Sequence, residues 1–251
     1  MNIIDALLES PQADAPVRHV LVGAFWTAVV LEADPPCCGL ASTMHGGHGD
    51  HHRSGPPVAE AGSLLQYSGR GLAEWLRSES SLEASIGMAA FNALLDVDQA
   101  ACVESNAEDI ILERGQGQRV AIVGHFPFVE RIRQVAGECW VVELDPRPGD
   151  VPAERAAEVL GQADVVALTG TSLINHTFDG VIGACRPGAF VLLLGPSAPL
   201  TPVLFEAGVG AISGTRVTDL DQVLSLIQQA ATFRQIKRSG GVRLLTMMSE
   251  A

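Results

Sequence analysis

Five short apolar runs in the second half of the chain constrain its fold most strongly, because each leads into a loop of small, hydrogen-bonding residues. The runs and their loops cover residues 119–126, 139–150, 163–177, 188–199 and 209–219. Strands that are apolar on both faces are typical of parallel sheets covered by helices. Such sheets bind their ligands at the carboxyl ends of the strands. The sequence therefore predicts the edge of the sheet at which a ligand binds.

Helical patterns alternate with these runs, which favours right-handed βαβ units in an α/β fold with an open, doubly wound, mostly parallel Rossmann-like sheet. The predicted helices cover 126–137, 152–162, 171–188, 201–208 and 219–233, and 241–248 is the last predicted strand. The first half differs, with an apolar run long enough for two strands, a Gly/His/Pro-rich loop and two helical patterns, at 17–32, 35–58, 68–78 and 80–96. We therefore expect two domains, 1–117 and 118–251.

Composition and charge exclude several classes of partner. The net charge of −13 argues against nucleic acid, since phosphate binding needs clustered Lys and Arg. No run of about 18 apolar residues is present, so we expect no membrane span. The N-terminus lacks the pattern of a signal peptide. The five cysteines form no disulfide-rich pattern, and we therefore expect a cytoplasmic protein.

The loop after the third run has the composition of an anion site. Thr169 and Gly170 end the predicted strand, and Thr171 and Ser172 begin a predicted helix. Free backbone N–H groups and the helix dipole favour a phosphate or carboxylate at such a point. A plain helix cap with nothing bound is the alternative.

A second loop of the same kind, Gly195–Pro196–Ser197, follows the next strand. It is not a nucleotide-binding P-loop, because no Lys follows in the required spacing. The first strand leads into Gly124–His125–Phe126, which lacks the glycines of the dinucleotide fingerprint. A conventional NAD site is therefore disfavoured.

His125 and Asp145 follow the first two predicted strands. Because the ends of these strands should be neighbours, the two side chains are candidates for ligand binding or for general acid–base catalysis. The alternative is an Asx turn at Asp145 before Pro146, with His125 simply exposed.

A loop rich in histidine is the one compositional anomaly, and it contains His45, His48, His51 and His52. Imidazole is a good ligand for zinc, nickel and copper. The spacing matches no zinc-site pattern, so a solvated loop is the alternative.

Taken together, the stretches 85–95, 123–132, 143–150, 163–177 and 193–209 resemble the DUF364 family, labelled a "putative heavy-metal chelation" domain. The stretches 22–31, 37–43 and 68–76 resemble its usual N-terminal companion, DUF4213. The resemblance implies an enolase-N-terminal-like α+β domain followed by a Rossmann-like domain, with a site in the cleft between them. The cleft residues that it implies are Asn92, Gly124, His125, Asp145, Thr169, Gly170, Thr171, Ser172, Asn175, Gly195, Pro196 and Ser197.

Two functions remain open at this point. The first is a protein that handles a divalent heavy metal, or a metal–metabolite complex, and binds a small anionic ligand in the cleft. The second is an enzyme acting on a small anionic or nucleotide-derived substrate there, with His125 or Asp145 moving a proton. The apolar stretch 244–248 reads as a sheet edge and favours a homodimer. The identity of metal, ligand and reaction does not follow from the sequence.

Overall fold

The computed structural model describes residues 2–45 and 55–249. Its N-terminal part is a three-stranded antiparallel sheet in the order β1–β2–β3. The strands are β1 (Val17–Val22), β2 (Trp26–Leu31) and β3 (Cys37–Ser42). Helix α1 (Ile3–Glu9) precedes the sheet, and α2 (Gly69–Ala73) and α3 (Ser81–Leu94) follow it. The first two strands agree with the sequence prediction, whereas β3 lies in a stretch that we predicted to be loop.

Both faces of this small sheet are covered. Val29 and Leu31 pack in the core that contains α3, whereas Ala28 packs with residues of two later helices, α10 (Leu220–Gln228) and α11 (Phe233–Ser239). Gly39 permits the close contact with α3, because a Cβ at this position would lie 2.1 Å from the carbonyl oxygen of Ala89. The N-terminal sheet is thus held between its own helix and helices from the C-terminal half.

The second sheet has eight strands in the order β4–β11–β10–β9–β8–β5–β6–β7. Strands β5 to β10 are parallel where they pair, β11 is antiparallel to β10, and β4 is antiparallel to β11. Their bounds are β4 (Cys102–Val103), β5 (Arg119–Val123), β6 (Glu138–Glu143), β7 (Val151–Pro152), β8 (Val165–Thr169), β9 (Phe190–Leu194), β10 (Ala211–Val217) and β11 (Val242–Met248). The predicted α/β class with a mostly parallel sheet is confirmed.

Helices cover both faces of this sheet, as alternation along a strand requires. In β9, Leu193 packs in the cluster that includes the N-terminal half, whereas Leu192 and Leu194 pack in the cluster on the other side. The remaining helices are α4 (Ala107–Gly115), α5 (Val129–Val135), α6 (Ala156–Leu160), α7 (Thr171–Ile174), α8 (Phe178–Ala184) and α9 (Val203–Glu206). Helix α4 and strand β4 pack with the second sheet. The elements that belong to this sheet therefore begin before residue 117.

Three details differ from the sequence prediction. The helix predicted over 171–188 is two short helices, and His176 between them has a left-handed φ of 58°. The N-cap of α7 is Gly170, with no side-chain cap. Strand β11 is not the outermost strand, because β4 pairs with Thr246 and Met247. The apolar residues of β11 are therefore weaker evidence for a dimer than those of an open sheet edge.

No helix in the described ranges has the length and apolarity needed to cross a membrane.

Candidate functional site

A cavity of about 610 Å³ opens at the carboxyl ends of β5, β6 and β8. In the sheet, β5 lies between β6 and β8. From β5 the chain adds β6 and β7 on one side, and then β8, β9 and β10 on the other side. Ligands of open α/β sheets bind at this topological switch point, where the strand ends diverge and leave a crevice. The volume lies in the range of about 300–1,000 Å³ that is typical of small-ligand sites.

Gly124 forms the end of the cavity nearest the sheet. It follows β5 with a φ of 104°, and a Cβ there would lie 3.1 Å from the Cβ of Thr169. Only glycine adopts this conformation without strain. The backbone N–H of Gly124 donates to the carbonyl oxygen of Val142 at 3.0 Å, so this N–H is already used within the sheet.

The polar wall comes from the loop after β8, but its hydroxyl groups bond mainly to one another. The Oγ1 atoms of Thr169 and Thr171 are 3.0 Å apart, and Ser172 Oγ donates to the carbonyl oxygen of Thr169 at 2.7 Å. Asn175 Oδ1 accepts from the hydroxyl of Thr177 at 2.7 Å. Thr169, Thr171 and Asn175 line the cavity, whereas Ser172 is buried and lines a second, smaller cavity. The wall offers hydrogen-bonding side chains. The helix that begins at this wall, α7, is a single turn, so it is too short to provide a helix N-terminus for an anion.

Glu143 is a lining carboxylate that the sequence analysis missed. It is the last residue of β6, and it forms no ion pair and receives no side-chain hydrogen bond within the described part of the chain. Burial raises the pKa of its carboxyl group, and the N–H of Leu144 and the nearby His125 offset part of this shift. The sequence analysis predicted Asp145 instead, and that residue is exposed and does not line the cavity. The spacing of Glu143 from Gly124, about 20 residues, matches the acidic residue of dinucleotide-binding folds and could have found it.

The apolar part of the cavity comes from α6 and α8. Ala156, Ala157 and Leu160 line it from α6, and Val181 and Ala184 line it from α8. Phe126 and Leu144 lie at the mouth side, in the loops after β5 and β6. The cavity therefore combines a polar end at the strand termini with an apolar face of mostly small side chains.

The N-terminal half contributes less to this cavity than the sequence analysis implied. Met44 is its one lining residue within the described ranges. A smaller cavity of about 340 Å³ lies between α1, Arg77 and the α7–α8 segment. His176 lines both cavities, and its Nε2 atom lies 2.7 Å from the carbonyl oxygen of Leu76, which joins the two halves.

Several residues predicted for the site lie elsewhere. Ser197 is 1% exposed, and its Oγ accepts from the backbone N–H of Ser42 at 2.8 Å, so it fastens β3 to the second half. Gly170 packs against the backbone of Ala198. Asn92 donates to the carbonyl oxygen of Leu40 at 2.8 Å, and its Oδ1 atom is buried without a partner among the described residues. The predicted residues that do not line the larger cavity are Asn92, Asp145, Gly170, Ser172, Gly195, Pro196 and Ser197.

The described residues do not form a closed metal site. Across residues 2–45 and 55–249, no three His, Cys, Asp or Glu side chains are grouped as metal ligands. His45 Nε2 lies 3.1 Å from the carbonyl oxygen of Ala24, and His48, His51 and His52 lie outside the described residues. In β3, burial raises the pKa of the Cys38 thiol to about 12, which disfavours the thiolate that binds metals.

Comparison with known proteins places this geometry in a family. The DUF364 family, described as "Putative heavy-metal chelation", matches residues 106–246, and DUF4213, with the same description, matches residues 4–95. An uncharacterized protein of Methanocaldococcus jannaschii is 28% identical over 178 residues, which span 67% of each chain.

Two crystal structures of DUF364-family proteins of unknown function share the whole architecture. The protein from Desulfitobacterium hafniense superposes with a TM-score of 0.83 at 24% identity, and the one from Pyrococcus horikoshii with a TM-score of 0.81 at 18% identity. In both cases the match covers 98% of each chain. At these identities the likeness concerns the fold. Because the DUF364 match spans more than half of the sequence, the chain belongs to the DUF364 family and carries the companion DUF4213 region at its N-terminus.

Proposed function

We propose that this protein binds a small organic ligand in the cavity at the carboxyl ends of β5, β6 and β8. The observation that carries the proposal is the cavity itself: about 610 Å³ at the switch point of the sheet, with a polar end and an apolar face. The heavy-metal description of the family fits this cavity when the metal arrives as a complex, because the organic ligand then supplies most of the donor atoms. In the described lining, the side chains of a type that binds metals include those of His125, Glu143, Glu154 and His176.

The charges around the cavity bear on the ligand's chemistry. Among the described residues the lining contains two carboxylates, Glu143 and Glu154, and neither Lys nor Arg. Tight binding of a multiply charged anion normally uses a cationic side chain. The lining therefore supports a ligand rich in hydroxyl groups more than one with a free phosphate. The small anionic ligand expected from the sequence stays a prediction.

Two glycines on α8 provide a matched test of the cavity as the binding place. Gly180 lines the cavity and Gly183 does not, and a Cβ at either position would meet no atom within 4 Å. A panel of nucleosides, sugars, organic acids and metal chelates is screened by thermal shift. A ligand at 100 times its Kd adds about 2.7 kcal/mol of stability. Gly180→Leu should abolish the shift by filling the cavity, and Gly183→Leu should retain it. A ligand that stabilises both variants equally would place the binding elsewhere.

An enzymatic role in the same cavity is the second candidate. It is favoured by Glu143, a carboxyl group whose pKa is raised by burial and that lies near the imidazole of His125, because such pairs move protons in active sites. In this case the panel compounds would be converted. Turnover should fall by roughly 10²–10⁴-fold in His125→Ala and in Glu143→Gln, the range of general acid–base catalysis. Bound ligand recovered unchanged after long incubation would contradict this role.

A further inference from the structure

The chemistry of Glu143 specifies the part of a ligand that meets the polar end of the cavity. Its carboxylate is half-buried and accepts from the backbone N–H of Leu144, and within the described ranges it receives no side-chain hydrogen bond and forms no ion pair. One backbone N–H leaves acceptor positions of the two carboxylate oxygens open, so a ligand that donates to them gains affinity. Two adjacent hydroxyl groups match the two oxygens of a carboxylate. In dinucleotide-binding folds, an acidic residue at this strand end accepts hydrogen bonds from ribose.

The apolar face of the cavity suits a flat ring. Ala156 and Ala157 on α6 and Ala184 on α8 present only methyl groups, and Gly180 presents no side chain. Leu160 and Val181 add apolar surface beside them, and both are buried. Apolar walls with few polar groups are typical of sites that enclose heterocyclic ligands.

The same cavity offers little to a phosphate. Neither Lys nor Arg lines it among the described residues. The N–H groups of Gly124 and Gly170 donate to the carbonyl oxygens of Val142 and Leu194, at 3.0 and 2.8 Å, so neither is available to an anion. A dinucleotide would need both a glycine-rich turn and free backbone donors at this point.

We infer that the cavity binds a nucleoside without a phosphate group, with the ribose diol on Glu143 and the base against the small side chains of α6 and α8. This inference rests on the proposed function, since it names the ligand class of the same cavity. The hydroxyl donors of the diol occupy the acceptor positions that the N–H of Leu144 leaves open. The base covers the apolar face, and a described lining with two carboxylates and neither Lys nor Arg selects against the nucleotide.

The test measures equilibrium binding by calorimetry with adenosine, 2′-deoxyadenosine, adenosine 5′-phosphate and NAD. Adenosine should bind most tightly. Removing one hydroxyl from the diol should weaken binding by about tenfold or more, the usual effect of a lost charge-assisted hydrogen bond. Adding the phosphate should weaken binding by about tenfold or more as well, because the described lining contains two carboxylates and neither Lys nor Arg. Glu143→Gln should weaken adenosine binding by roughly 10–100-fold. Its matched control is Glu138→Gln, at the exposed opposite end of β6, which should leave the affinity unchanged.

The outcomes separate this inference from the proposed function. Equal affinity for adenosine and its 2′-deoxy form, or wild-type affinity in Glu143→Gln, would overturn the ribose assignment. Tighter binding of the phosphorylated compounds would overturn the nucleoside class. If adenosine does not bind, while another compound loses its thermal shift in Gly180→Leu, the inference fails and the proposed cavity stands. If no compound shows a shift that depends on Gly180, both fail.

Discussion

At the scale of single residues, Glu143 carries a conflict between stability and binding. Burial raises its pKa above the ordinary value of 4.5, so the ionised form is less favourable in the folded chain than in the unfolded chain. At neutral pH this charge therefore costs stability, and the cost disappears once the group is protonated in both states. A residue kept at such a cost is typical of functional sites.

We expect Glu143→Gln to melt at a higher temperature than the wild type at about pH 7, in the absence of ligand. The gain should shrink as the pH falls through the raised pKa and vanish at about pH 3, well below the ordinary value. Thermal unfolding followed by circular dichroism measures this difference across the pH range. Glu138→Gln, which removes an exposed carboxylate from the same strand, should show no such trend. A wild type more stable than Glu143→Gln at neutral pH would show that the carboxylate is stabilised by a partner.

The sequence predicted which types of residue follow the strands, but it did not predict the exact residue at which each strand ends. The structure brings Gly124, His125, Thr169, Thr171 and Asn175 to one cavity, all of which the sequence analysis singled out. Glu143 lines the cavity and Asp145 does not, and the sequence could not separate the two for a physical reason. Pattern reasoning favours the loop before a proline, whereas the position at which β6 ends depends on its pairing with β5.

At the scale of elements, the contact between β3 and α3 depends on one glycine. A Cβ at Gly39 would lie 2.1 Å from the carbonyl oxygen of Ala89 and 2.3 Å from the backbone nitrogen of Ala93. Both are backbone atoms of a buried helix, so neither can turn aside as a side chain would. The strand was not predicted, because its small residues and two cysteines lack the alternation that marks a half-buried strand.

We expect Gly39→Ala to destabilise the protein by about 3 kcal/mol, the upper end of the usual cost of overpacking. Gly183→Ala serves as the matched control, because a Cβ there enters open space on a helix and should stabilise by up to about 1 kcal/mol. Urea unfolding of the two variants measures both values. A loss in Gly39→Ala below about 1 kcal/mol would mean that α3 is free to shift away from β3.

At the scale of the whole molecule, the two halves share one core. The largest apolar cluster runs from Leu7 and Phe91 in the N-terminal half to Leu173 and Leu200 in the C-terminal half. Periodicity identified the elements, but it contains no information on which element of one half packs against which element of the other. The contacts of α10 with the N-terminal sheet, for example, join residues far apart in sequence. For this reason the sequence predicted two domains more readily than their common core.

Because the core is continuous, we expect the protein to unfold in a single cooperative transition, with Ser197→Ala lowering its midpoint without splitting it. The variant leaves the N–H of Ser42 without its 2.8 Å acceptor at the junction of the halves. The donor is half-buried, so the loss should lie at the lower end of the range of about 1–3 kcal/mol for an unsatisfied buried donor, and each kcal/mol lowers Tm by about 2–4 °C in a chain of this size. Ser225→Ala, on the exposed side of α10, should change the stability by less than about 0.5 kcal/mol. Scanning calorimetry gives the number of transitions directly. Two resolved peaks, of which Ser197→Ala shifts only one, would show that the halves fold independently.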